Sequence, residues 1–145
     1  MDRFLCDAML GKLARYLRMC GYDTAYALDR DVEADDAVRA LARREGRRLL
    51  TRDADLAART EGAIRLTERD IDGQLRELRA AGVTLSLPET PRRCGRCNGP
   101  LCRVEASAAT PADAPDPAET GVWRCERCGG FFWKGSHWDD VRDRL

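Results

Sequence analysis

The sequence predicts an α/β fold with a mainly parallel sheet, followed by a small cysteine-rich unit. Three observations predict it. Short apolar runs alternate with helical-period segments over the first 88 residues, the pattern of βα units rather than of hairpins. Two prolines in Pro88–Pro91 then interrupt both kinds of ladder. Beyond them, four of the seven cysteines fall in two Cys-x-x-Cys pairs. The expected division is residues 1–88 and residues 89–145.

Taken in order, Arg3–Asp7 (RFLCD) is a brief apolar run ending in an acid, a first strand. Met9, Leu10, Leu13, Leu17 and Cys20 then recur at helical spacing as one apolar stripe, with Lys12, Arg15 and Arg18 on a second face and Gly21 as the stop. Asp23–Leu28 alternates as a second strand. An acidic run from Asp29 to Asp36 leads into a helix over Ala37–Arg44, closed by Glu45–Gly46. Arg48–Thr51 is the third strand, Leu56–Thr60 a short helix and Ala63–Thr67 a fourth strand. Ile71–Ala81 is a helix with Ile71, Leu75 and Leu78 inward; Gly73 weakens its first turn and Gly82 closes it. In the second unit, residues 105–121 are rich in Ala, Pro, Asp, Glu and Thr with no apolar period, which predicts a mobile loop.

Charge identifies no partner by itself, since 25 basic residues balance 25 acidic ones. No apolar run of about 18 residues exists, so nothing is expected to span a membrane. No signal peptide is visible at the N-terminus. Paired cysteines at this spacing point to metal thiolates in a reducing cytoplasm rather than to a disulfide framework.

Cys94, Cys97, Cys125 and Cys128 form two knuckles, and Gly95, Gly99, Gly129 and Gly130 give the backbone room to turn. Four thiolates close a tetrahedral structural zinc site with no open position, and iron in the same cage is the rival. A unit of about 50 residues with so few apolar side chains needs that metal to fold. Cys102 reads as a packed thiol, and Cys6 and Cys20 as core residues. His137, the only histidine, reads as structural or RNA-contacting.

The acids share a setting. Asp7 and Asp53 each end an expected strand before a helix, and Asp35 or Asp36 begins one. If the first and third strands are parallel neighbours, these carboxylates meet at one sheet edge, where open parallel sheets bind ligands. Clustered carboxylates favour a hard cation, Mg²⁺ or Mn²⁺, able to activate water against a phosphodiester. Taken singly, each aspartate suits a helix N-cap better than a ligand; recurrence at the same kind of position is what favours the metal. Asp35 is preferred to Asp36 because it shares a helical face with Val38 and Ala42; Asp55 either joins the site or is a solvated neighbour. Lys12, Arg15 and Arg18, with Arg52 at the strand end, are the substrate-binding candidates, or else a solvated face.

Phe4–Arg18 (FLCDAMLGKLARYLR), Gly21–Thr24 (GYDT) and Leu49–Asp53 (LLTRD) resemble the Mut-seven C-terminal RNase family. Arg93–Asn98 (RCGRCN) and Phe132–Trp138 (FWKGSHW) are similar to that family's zinc ribbon. The resemblance covers nearly all of the chain except residues 105–121. It implies a PIN-like three-layer sandwich and a metal-dependent ribonuclease whose active site is Asp7, Asp53 and a third acid. The expected function is hydrolysis of RNA phosphodiesters with the ribbon assisting RNA binding. The alternative is a catalytically silent nucleic-acid or protein adaptor, in which Arg92, Arg93, Arg96 and Arg103 bind phosphate. Substrate, cleavage position and oligomeric state are not legible.

Overall fold

The structure is a computed structural model describing residues 1–145. Four parallel strands form the first sheet: β1 (Phe4–Cys6), β2 (Thr24–Tyr26), β3 (Arg48–Thr51) and β4 (Ile64–Arg65), in the order β2-β1-β3-β4. Between them run α1 (Gly11–Met19), α2 (Asp35–Glu45) and α3 (Ala54–Arg59), and α4 (Ile71–Ala80) follows. β1 pairs with β3 so that Phe4, Leu5 and Cys6 oppose Arg48, Leu49 and Leu50.

Strand alternation sorts the core into two layers. Phe4, Cys6 and Leu50 point to one face, where Leu10, Leu13 and Leu17 of the α1 region and Leu75 and Leu78 of α4 cover them. Leu5 and Leu49 point to the other, against Val38, Leu41 and Ala42 of α2 and Leu56 of α3. The sheet is therefore the middle of three layers, the PIN-like sandwich. Each leucine fully withdrawn from water contributes about 1.5–3 kcal/mol.

The second sheet is antiparallel: β5 (Leu101–Arg103), β6 (Val122–Cys125) and β7 (Phe131–Trp133), with β6 central. A final helix, α5 (Ser136–Arg144), was not signalled by the sequence pattern because only Trp138 and Val141 among its residues are buried. Both enter the same apolar cluster as α1 and α4. Arg144 adds an ion pair to Asp72 at 3.0 Å.

Several boundaries differ from expectation. The fourth strand ends at Arg65 rather than Thr67, because the backbone N–H groups of Thr67 and Glu68 donate to the Glu77 carboxylate instead of to a strand. The second strand gives way at Ala27 to a 3-10 turn over Ala27–Arg30. α2 starts two residues early, at Asp35. Val83, Leu85 and Leu87 alternate as a strand would, yet pack on the helical side of the core without strand pairing. Gly73 is a fitted residue: a Cβ there would lie 2.6 Å from Glu68 Cγ, and its N–H donates to the Asp70 cap. Cys102 is exposed, not packed, because β5 is an edge strand and this side chain faces outward. Residues 105–121 contain turns but no helix or strand.

The cysteine-rich unit is fastened to the sheet by polar contacts. Asn98 accepts a hydrogen bond from the Thr24 N–H at 2.9 Å and donates to Asp23 Oδ1 at 2.7 Å. Arg47, nearly buried, donates to the same Asp23 oxygen at 2.8 Å. Arg18 is also buried; it donates to the carbonyls of Thr24 (2.8 Å) and Gly95 (3.1 Å). Burial opposes the Asp23 charge, but hydrogen bonds from Asn98 and Arg47 and the charges of Arg47 and Arg93 outweigh it and hold its pKa well below the usual carboxylate range. A depressed folded-state pKa means stability that is complete above the unfolded value of about 3.9 and is lost as pH falls below it. Asp23→Asn is accordingly expected to melt earlier than wild type at neutral pH. The gap should narrow progressively on acidification below about pH 4; a gap unchanged in thermal melts down to low pH would refute the assignment.

Candidate active site and metal centre

The sheet changes winding direction between β1 and β3. The chain leaves β1 into α1 on one face and leaves β3 into α3 on the other, so the two exits diverge. Such a switch point opens a crevice at the carboxyl ends of the strands. Asp7 and Asp53 lie there, one residue beyond β1 and two beyond β3.

Thr51 links them. Its hydroxyl donates to Asp7 Oδ2 at 2.8 Å and accepts the Asp53 N–H at 3.0 Å. The other Asp7 oxygen accepts the Ala8 N–H at 2.8 Å, so this half-buried carboxylate is held at both ends. Asp53 caps α3: Oδ1 accepts the N–H groups of Asp55 (2.9 Å) and Leu56 (3.1 Å), while Oδ2 accepts none. Capping and ligation are thus compatible, because they use different oxygens. Asp55 is exposed beside it in the first turn of α3.

Asp35 stands apart from this pair. Its carboxylate meets Arg59 at 3.2 Å, at the far end of α3, and Asp36 lies 3.9 Å from the same guanidinium. Asp35 is the more sheltered of the two, with 43% of its side chain exposed against 91% for Asp36. No three carboxylates approach one another as closely as the cysteine sulfurs do.

The basic candidates separate as well. Lys12 and Arg15 are exposed, whereas Arg18 is buried and its guanidinium is spent on Thr24, Gly95 and Asp29. It sits on the side of α1 that the cysteine knuckle covers. Arg52 is half-buried with Nε shielded and unpartnered. Its charge helps to lower the pKa of Glu77; burial opposes that shift, and the Glu68 and Thr67 N–H groups drive it more strongly. The ribbon arginines do not act as one cluster: Arg93 turns to Asp23 at 3.7 Å and Arg103 stacks on Trp123 at 5.9 Å.

Cys94, Cys97, Cys125 and Cys128 bring their sulfurs within 4.8 Å of one another, a set that can hold a metal such as zinc. Cys94–Cys128 and Cys97–Cys125 are separated by 3.8 and 3.4 Å. Four sulfurs about 2.3 Å from one ion stand about 3.8 Å apart, so the donors fit a tetrahedral site. The knuckles match in detail. Asn98 and Gly129, each following the second cysteine of its pair, adopt positive φ of 71° and 76°. The next residue then donates its N–H to sulfur: Gly99 to Cys97 and Gly130 to Cys128, both at 3.4 Å. A Cβ on Gly99 would lie 2.5 Å from Cys125 Sγ, so only glycine lets the second knuckle approach. Burial raises the Cys125 pKa, but the N–H groups of Cys128 and Arg127 and the neighbouring thiols outweigh it and bring it down to about 7. Burial and neighbouring thiols push Cys97 up to about 12. Cys6 and Cys20 are core thiols, raised by burial to about 12 and about 11.

A parallel three-layer sandwich with paired acids at its switch point and a four-cysteine ribbon defines the class. The family described as Mut7-C RNAse domain matches residues 2–145, and the chain belongs to it. No curated protein and no solved structure matches the chain. No helix is long and apolar enough to cross a membrane.

Purified protein is expected to carry one metal ion per chain by elemental analysis. Cys97→Ala and Gly99→Ala should both lose it, the second by steric exclusion with all four ligands intact. Full metal content in Gly99→Ala would show that the knuckles do not close as described.

Proposed function

We propose that the protein is a metal-dependent ribonuclease that hydrolyses RNA phosphodiesters at the crevice between β1 and β3, with Asp7 and Asp53 as its central acids. The observation that carries this is the hydrogen-bonded line from the Asp53 N–H through the Thr51 hydroxyl to the Asp7 carboxylate. Membership of a ribonuclease family supports RNA as the substrate.

Asp7 and Asp53 would hold Mg²⁺ or Mn²⁺, with Asp55 two residues beyond Asp53 in the first turn of α3 and Asp35 engaged with Arg59 through Oδ2. When bound, such an ion lowers the pKa of a water and offsets charge on the leaving oxygen. The chain's own residues fix where that happens. Thr51 and Ala8 orient Asp7 before any substrate arrives, which removes a reorganisation cost. Asp53 keeps Oδ2 free because its capping duty uses Oδ1 alone. Arg52, at the same strand end, is the nearest cation in sequence to a phosphate docked there. Zinc in the ribbon has four protein ligands and no open position, so its role is structural. A reducing cytoplasm suits those thiolates.

Asparagine caps helices as well as aspartate does, so Asp53→Asn isolates the charge. It should melt within a degree or two of wild type, while Mn²⁺-dependent cleavage of single-stranded RNA falls by about 100-fold or more, the scale of one positioned catalytic group. Cleavage at the wild-type rate would reject the site. Thr51→Val should lower the rate less, by loosening Asp7 without removing a ligand; a loss larger than that of Asp53→Asn would assign Thr51 the central role instead.

A further inference from the structure

Lys12 and Arg15 stand exposed on one face of α1, and Arg96 projects from the first cysteine knuckle. None of the three makes an ion pair or a side-chain hydrogen bond, unlike Arg18, Arg47 and Arg93 nearby. Together with His137 they line a cleft of about 470 Å³ between α1 and the ribbon. Its one acid is Asp29, already 3.6 Å from Arg18. The cleft therefore presents uncompensated positive charge toward whatever enters it.

A second cavity, of about 170 Å³, adjoins the first and shares Arg15, Gly95, Arg96 and His137 with it. Its remaining lining is Met19, Leu101, Phe132 and the knuckle residues Cys94 and Gly130, with Phe131 beside them. Strand alternation turns the Phe132 ring to this side, toward Trp138, and the Phe131 ring to the other, under the Arg124 guanidinium. One compartment is cationic and polar, the next aromatic and small. An unpaired nucleotide has that same division, an anionic phosphate beside a flat ring with apolar faces. A duplex does not offer it, since its bases are stacked on one another inside the helix. One wall of the cationic cleft is bonded to the segment beside the acidic crevice. Gly11 and Tyr26 form its far wall, and the Tyr26 hydroxyl donates to the carbonyl of Ala8, the neighbour of Asp7.

We infer that the junction of α1 and the ribbon is a binding site for single-stranded RNA, with one base in the compartment of Phe132, Leu101 and Met19 and the adjoining phosphates along Arg96, Arg15 and Lys12. The choice of RNA among polyanions rests on the ribonuclease reading above. The bound strand then leads past Tyr26 toward Asp7, so the ribbon selects unpaired substrate and sets its path to the acids. This also explains why the two units are joined by buried polar contacts at Arg18 and Asn98: a site shared between them requires a fixed distance across the junction.

Binding is measured by fluorescence anisotropy with a short labelled single-stranded RNA and a blunt duplex of the same sequence. Divalent cations are left out, so that cleavage plays no part. Single strands should bind at least about 10-fold more tightly than duplex, and Phe132→Leu, which keeps an apolar side chain but removes the ring, should cost about 5- to 150-fold in single-strand affinity, the range for one stacked base, with little change in salt dependence. Arg15→Ala with Arg96→Ala should flatten the slope of log affinity against log salt by about 1.4, since each phosphate contact to a single strand contributes about 0.7. Arg96 is exposed and unpartnered, so its variant keeps the fold; metal content and melting temperature check Phe132→Leu. Equal binding of duplex, or wild-type affinity and salt slope in the double arginine variant, would overturn the site. The same RNA with Mn²⁺ separates the two readings: binding as described without cleavage leaves the groove and removes the nuclease, while cleavage with binding unaffected by these variants does the reverse.

Discussion

The parallel pairing of β1 with β3 is the constraint on which the rest of the molecule depends. These strands are far apart in sequence, and between them the chain makes α1, β2 and α2. Placing β2 outside β1 rather than between β1 and β3 forces the winding to reverse there. The helices that follow the two strands then leave on opposite faces, and the crevice is a product of that reversal. Without it, Asp7 and Asp53 would each be a polar residue at a strand end, separated by the width of another strand. With it, a single threonine hydroxyl spans them.

The ribbon is not a passive appendage. Its cysteine knuckles tolerate little variation, because the αL residue after each pair and the glycine beyond it are fixed by N–H···S geometry and by the closeness of Gly99 to Cys125. The first knuckle also carries the fastenings to the sheet. Asn98 combines its own αL conformation with hydrogen bonds to the buried strand-edge N–H of Thr24 and to the Asp23 carboxylate. Arg18 reaches across from α1 to the Gly95 carbonyl. At the other end of the unit, Trp138 and Val141 enter the core shared by α1 and α4. A boundary that composition draws at Pro88–Pro91 is therefore crossed by both polar and apolar contacts, and the two units share a surface that neither has alone.

Much of this was legible beforehand because short-range chemistry writes it. Third strand, fourth helix and first helix follow from period and glycine stops, within a residue or two of where they lie. Errors gathered where a longer-range partner intervened. Glu77 captured the N–H groups that would have extended the fourth strand. Cys102 proved exposed because edge position is a property of the sheet. Arg18 shared its helical face with Lys12 and Arg15 in the sequence, but the ribbon lies over that end of α1 and removed it from solvent.

The amino-acid sequence by itself determined the βα alternation, the two cysteine pairs able to hold a metal and the presence of acids at strand ends, since each depends on residue type and spacing within a few turns of chain. Only the tertiary structure decided that Asp7 and Asp53 are neighbours, that Asp35 is held by Arg59 instead, and that Lys12, Arg15, Arg96 and His137 face one cleft. Strand order and the docking of the ribbon set those distances, and both are outcomes of packing between segments remote in sequence, where local periodicity carries no signal.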